Sequence, residues 1–160
     1  MKRFIKKHRF KIIVSILLII FIYVCFYMLW VHVPYLKQEK ELNYIQQNIC
    51  QKYDYTFDDY VNEYQNDNLN YIVRVKEDNK KLYVVCNEKY KKLDEYQGKV
   101  VKKDVVREAF YNKYQVNCSK IEVGYENDRF VYCLMYKGKD TLIYAYYNIE
   151  DGEFLKAYKL

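Results

Sequence analysis

Histidine, serine and the carboxylates bound the chemistry open to this chain of 160 residues. A serine or cysteine hydrolase needs a base within hydrogen-bond reach of its nucleophile. The two histidines are His8 and His32, and beyond them the single serine is Ser119. Zinc centres draw on Cys and His at short spacings such as C-x-x-C, and Cys50, Cys86, Cys118 and Cys133 show none. Asp58-Asp59 is the tightest carboxylate pair, the arrangement that acid-base chemistry would use. Consecutive residues of a strand point to opposite faces, so the pair reads as a solvated strand or loop. The four glycines, at 98, 124, 138 and 152, are too scattered to cradle a phosphate. The sequence therefore nominates no catalytic residue, no cofactor-binding residue and no metal ligand, and the chain is expected not to be an enzyme. Lysine or carboxylate-only chemistry stays formally open.

Tyrosine is the other abundant functional group, with 21 copies. Small sheets cannot bury that many phenols with every hydroxyl satisfied. Either the hydroxyls simply face water, or some of Tyr136, Tyr144, Tyr146 and Tyr147 form an aromatic contact patch of the kind enriched at interfaces. Cys50, Cys86, Cys118 and Cys133 could form two disulfides in an oxidising exterior. The alternative, which strand positions at Cys86 and Cys133 favour, is that they are free and serve as small buried hydrophobes.

What positions these groups begins with the N-terminus. Lys2, Arg3, Lys6, Lys7, Arg9 and Lys11 precede Ile12 to Val33, a run without Asp, Glu, Lys or Arg that ends at Pro34, the one proline. As a helix that run reaches roughly 33 Å, enough to cross a bilayer core. Cations are retained on the cytoplasmic side, so the expected topology is a basic cytoplasmic tail at 1–11, a transmembrane helix at 12–33, and everything beyond outside the cell membrane. A cleaved signal peptide is disfavoured because the run is long and closes on Trp30 to Val33 with no small-x-small site. A lipoprotein reading at Cys25 is weaker, since Tyr23 and Val24 precede it. Tyr23, Tyr27 and Trp30 fit an interfacial aromatic belt.

Charge agrees with this division. The net charge is +6, yet the first eleven residues hold six bases and no acid, leaving 21 of each beyond them. A near-neutral exterior lacks the basic stripe of a nucleic-acid surface, and the tail suits anionic lipid headgroups. Neither nucleic acid nor a small-molecule substrate is expected as a partner.

The remaining residues repeat. Asn66-Asp67, Tyr71, Leu82-Tyr83 and Asn87 recur as Asn127-Asp128, Tyr132, Ile143-Tyr144 and Asn148, at a constant offset of 61. The same offset carries Ile45, Ile49 and Lys52-Tyr53 onto Val106, Phe110 and Lys113-Tyr114, and Tyr60 and Tyr64 onto Ile121 and Tyr125. Repeats of this kind mark duplicated structural units. Leu42, Ile45, Ile49 and Tyr53 space as one helix stripe, expected to begin soon after Pro34. Alternation at Leu69 to Lys76 and Leu82 to Cys86 reads as strands joined by a Glu77-Asp78-Asn79 turn. The second unit has a helix through Val106 and Phe110, strands near Lys120 to Tyr125, Arg129 to Tyr136 and Thr141 to Asn148, and a Glu150-Asp151-Gly152 turn before Phe154 to Tyr158. The fold class is α+β, each unit a helix on an antiparallel sheet. The junction Glu95 to Lys99 is short, so the units are expected to pack closely.

These residues resemble a known family. The apolar anchor, the doubled helix-and-strands unit, Asn70-Tyr71-Ile72-Val73 followed by Leu82-Tyr83-Val84-Val85, and the closing Tyr146-Tyr147-Asn148-Ile149-Glu150-Asp151-Gly152-Glu153-Phe154-Leu155 are similar to the TseB-like cell-wall elongation regulators. The resemblance implies two tandem PepSY/cystatin-like modules, at 35–96 and 99–160, behind a transmembrane helix. It also implies binding to an elongation transpeptidase of the penicillin-binding class rather than catalysis. Departures are Val101, where such repeats tend to place a Ser or Thr helix cap, and the missing Asp-Gly turn at Lys89 to Lys92. The alternative from another class is an inhibitor or chaperone of an extracytoplasmic peptidase.

Overall fold

In the computed structural model the apolar run is one long helix whose hydrogen-bond ladder changes near its outer end. The structure describes residues 2–66 and 68–160, with side chains from residue 11 onward. Met1, Asp67 of the Asn66-Asp67 repeat and the side chains of the basic tail before Lys11 lie outside the described residues. Helix α1 spans Lys2–Tyr27, a π-helical turn spans Met28–His32, and α2 spans Val33–Tyr53. The Val33 N–H donates to the Met28 carbonyl, a bond one residue longer than the α-helical one. Pro34 has no N–H and its ring crowds the preceding turn, so a widened turn just before it lets the helix continue. The helix therefore does not start after Pro34, as the sequence suggested; it runs through it. This is the one helix among the described residues long and apolar enough to cross a membrane.

Two compact units follow from the pattern of contacts, one ending at Asn43 and the other Tyr44–Leu160. The second holds two four-stranded antiparallel sheets. The first sheet is β1 (Thr56–Gln65), β2 (Leu69–Glu77), β3 (Lys80–Asn87) and β4 (Lys92–Tyr96), paired in chain order. Helix α3 (Lys103–Tyr114) leads into the second, with β5 (Lys120–Glu126), β6 (Arg129–Lys137), β7 (Leu142–Asn148) and β8 (Phe154–Lys159), again in order.

The 61-residue offset is carried into the hydrogen-bond register. Val73↔Val84 and Val75↔Leu82 in the first sheet become Leu134↔Ala145 and Tyr136↔Ile143 in the second. Ladder irregularities fall at Val85/Cys86 and at Tyr146/Tyr147, again equivalent positions. Asn87 Oδ1 accepts from the Lys89 N–H at 3.0 Å, and Asn148 Oδ1 accepts from the Glu150 N–H at 3.1 Å, so the repeated asparagine closes the equivalent turn twice. Ile49 and Phe110, the paired helix positions, are both fully buried. Gly152 takes φ +79°, where a side chain would be strained. In the first sheet the positive φ falls on Tyr90, at +55°, whose N–H donates to the Asn87 carbonyl, so that turn is one residue shorter than the one that holds Gly152.

Sheet 1 is covered on both faces. Val73, Val75, Leu82, Val84 and Cys86 share one face and are buried, as are Ile45 and Ile49 of α2. Ile72, Tyr83 and Val85 share the other and belong, with Tyr64, to one core that also contains Phe110, Val123, Phe130, Tyr132 and Leu134. Five consecutive residues of β3, Leu82 to Cys86, are therefore buried, as expected of a strand with no solvent side. The linker is clipped down rather than loose. The Val101 N–H donates to the Ile149 carbonyl at 2.9 Å, and the Tyr132 hydroxyl donates to the Val101 carbonyl at 3.0 Å. Glu95 and Tyr96, expected in the junction, are the end of β4.

Tyr64 is one of three polar bolts between the sheets, beside Tyr60, which accepts from the Val123 N–H, and Tyr125, which donates to Asp94. The Tyr64 ring lies over Gly124, where an added Cβ would come within 2.6 Å of it, which is why β5 carries glycine there. Its hydroxyl donates to the buried Glu126 carboxylate at 2.8 Å. Tyr64→Phe removes that donor while keeping the ring, leaving a buried acceptor short of one partner. The expected cost is about 1–3 kcal/mol of unfolding free energy, read by denaturant titration.

Candidate partner-binding face

The four nominated tyrosines do not share a surface. Tyr147 is 1% exposed, on the face of β7 that carries Ala145, and packs edge-on against Phe154 at 5.6 Å. Its hydroxyl is buried without a partner among the described residues, and burial pushes the phenol up to about 12. Tyr136 lies on the same side of the sheet, half-buried against the core. Tyr144 and Tyr146, by the alternation of β7, stand on the opposite, outer face.

There the register builds an aromatic row. Cys133 is paired with Tyr146 and Met135 with Tyr144 across β6 and β7, while Tyr144 meets Tyr158 and Tyr146 meets Lys156 across β7 and β8. The Tyr146 and Tyr158 rings meet edge to face at 6.0 Å. The Lys156 ammonium sits over both, 4.8 Å from the Tyr146 centroid and 5.2 Å from that of Tyr158, and pairs with Glu126. Lys120 pairs with Glu122 at 2.6 Å at the edge of the same face. The face is thus aromatic, with Lys120 and Lys156 each paired to a carboxylate and Tyr158 about half exposed.

Two of its groups are held in their neutral forms. Burial pushes the Cys133 thiol up to about 11 and the Tyr146 phenol higher, so both are neutral at physiological pH. Hydrogen bonding to Glu126 raises Lys156 and keeps it cationic. The sequence reading missed Tyr64, Glu126, Lys156 and Tyr158; the signal for the last two was the i, i+2 alternation of β8, which places them beside Tyr146 and Tyr144.

The remaining reactive groups are committed elsewhere. Ser119 donates its hydroxyl to the Met135 carbonyl at 3.0 Å. All five cysteines are free thiols, with Cys86 buried and raised to about 11 by desolvation. Asp58 and Asp59 were expected on opposite faces, but β1 bulges between Phe57 and Tyr60, leaving both outside the ladder. Both then reach one guanidinium: Arg74 Nε lies 3.3 Å from Asp58 and its Nη1 lies 3.4 Å from Asp59. Asp58, whose side chain is 5% exposed, also pairs with Lys76 at 2.9 Å and Lys81 at 3.0 Å.

Hydrogen bonds from Lys76 and then Lys81 lower the Asp58 carboxyl from 3.8 to about 2. A carboxyl depressed in the folded state stabilises the fold above its unfolded value and loses that contribution as pH falls through its folded value. Stability should therefore decline between about pH 4 and pH 2, and Asp58→Asn should flatten that decline in acid denaturation followed by circular dichroism.

No family model matches the chain, and no curated protein matches it significantly. Among solved structures it is similar to a putative lipoprotein from Clostridium difficile 630, at 12% identity and a TM-score of 0.40, over 71% of this chain and 89% of that one.

Proposed function

We propose that this chain is a membrane-anchored, non-catalytic regulator of the peptidoglycan elongation machinery that binds a penicillin-binding transpeptidase. The observation that carries the reading is the joining of one long apolar helix to a compact unit that presents an aromatic sheet face. The cationic tail before Ile12 supports an N-inside orientation, with Tyr44–Leu160 outside the cell. Tyr144, Tyr146 and Tyr158 supply rigid aromatic surface, and Lys156 and Glu126 offset each other, a composition suited to protein contact. Tandem PepSY/cystatin-like modules are the finer description that the repeated register supports. Confinement of both partners to one membrane raises their effective concentration, so a weak contact suffices.

Co-purification from crosslinked membranes containing the full anchored chain tests this. A penicillin-binding transpeptidase in the eluate is the expected result. A peptidase in its place would support inhibition or chaperoning, and recovery of the chain only in the soluble exported fraction would show the helix to be a cleaved signal.

A further inference from the structure

A cleft of about 390 Å³ opens where the linker turns into α3, on the opposite side of β6 from the aromatic face. Its volume is that of a small-ligand site. Both sheets line it: Arg74 and Tyr83 are a cross-strand pair of β2 and β3, Tyr60 comes from β1 and Tyr132 from β6, and Lys102 and Lys103 complete the wall.

Helix α3 begins in this cleft without a cap. Lys102 holds the N-cap position with extended backbone, φ −64° and ψ 138°, but an ammonium has no lone pair with which to accept from the first-turn N–H groups. Val101, just before it, is likewise unable to accept. Those N–H groups form the positive end of the helix dipole, and Lys102 and Lys103 add two cations to it, which favours an anion there. The neighbouring acids do not cancel the charge. Asp104 is strongly exposed and pairs with Arg107 at 3.0 Å, while Asp59, also exposed, meets Arg74 at 3.4 Å.

Tyr83 supplies a second, independent sign of a ligand. It is 4% exposed, yet its hydroxyl has no hydrogen-bond partner among the described residues. Unlike that of Tyr147, this hydroxyl is not sealed in the core; it opens on the cleft, beneath an Arg74 guanidinium 5.5 Å from the ring centroid. Desolvation raises the phenol, which keeps it a donor. Tyr60 accepts from the Val123 N–H at 3.0 Å and finds no acceptor for its own proton among the described residues. Two phenolic donors, a guanidinium and an open helix N-terminus thus line one cleft. A carboxylate offers its oxygens in one plane, whereas a phosphate offers them in tetrahedral directions and can meet the helix, the phenols and the lysines together.

We propose that this cleft binds a phosphate group, on the N–H groups that open α3 and the hydroxyl of Tyr83, with Arg74, Lys102 and Lys103 balancing its charge. The donors are those of a helix terminus and a sheet, with no glycine loop needed. The site is separate from the aromatic face and does not rest on the partner reading.

The test is two-dimensional NMR of the full nitrogen-15-labelled chain in an uncharged detergent at constant ionic strength. Inorganic phosphate, glycerol 3-phosphate and dimethyl phosphate are the probes, with acetate as the planar control. The Lys103 and Asp104 amide signals should shift with a dissociation constant of roughly 5 mM or tighter for at least one phosphate probe. A response to dimethyl phosphate assigns the site to phosphodiesters, and a response to the other two alone assigns it to free phosphate or monoesters. Tyr83→Phe should weaken binding by about tenfold or more, with a melting temperature unchanged or higher because the hydroxyl it removes has no partner. Should that variant fail to fold, Lys102→Gln together with Lys103→Gln should give the same loss. No shift with any phosphate probe at roughly 20 mM, an equal response to acetate, or binding unaffected by the variants would overturn the assignment.

Discussion

Phe110→Ala should lower the stability of the folded unit by about 3–5 kcal/mol, the cost of truncating a buried aromatic side chain and leaving a cavity. Phe110 is fully buried on α3, its ring centroid 4.8 Å from that of Tyr114, within the core that also holds Tyr64, Tyr83 and Val85 of the first sheet. Truncation therefore loosens both modules and not one. For a unit of this size the melting temperature should fall by roughly 10–20 °C, measured by calorimetry in a single transition. Ile49→Ala, at the equivalent position on α2, should cost about 2–5 kcal/mol. A loss below about 1 kcal/mol at Phe110 would contradict the core described here.

The repeat was the most legible part of the sequence, because its offset of 61 fixed equivalent helices, equivalent ladder pairs and the twin turns closed by Asn87 and Asn148. Strands β2, β3 and β5 to β8 were visible as alternation. Strand β1 was not, since the bulge at Asp58-Asp59 breaks the period-two pattern between Phe57 and Tyr60. The same bulge explains why a rule about opposite faces failed for two carboxylates that share Arg74. β3 held a second signal: Tyr83 and Val85, apolar and out of phase with Leu82, Val84 and Cys86, mark a sheet with two buried faces. The aromatic face was only half legible. Tyrosine type and spacing cannot tell Tyr147 from Tyr146, because adjacent residues on one strand take opposite faces, and only the packing of α3 shows which face is the core.

Releasing residues 36–160 as an exported soluble fragment should reduce cellular activity by roughly two orders of magnitude or more at matched expression, the range expected when an intramolecular-like encounter becomes a free one. The fragment keeps the aromatic face and loses only confinement by the apolar helix. An unrelated membrane span in place of 12–33 should restore activity if the helix only confines. Failure of that swap with the protein correctly inserted would show that the span itself packs against a partner helix. Equal activity of the soluble fragment would reject tethering.

The central claim is that the outer face of β6, β7 and β8 meets a cell-envelope transpeptidase while the chain is anchored. It is tested most directly by placing a photo-crosslinking phenylalanine derivative at Tyr144 in the full chain, irradiating intact cells and identifying the adduct by mass spectrometry. Tyr111, 44% exposed on α3, provides the matched control position. The account predicts a transpeptidase adduct from Tyr144 and none from Tyr111; an adduct from Tyr111 alone, or none from Tyr144, would contradict it.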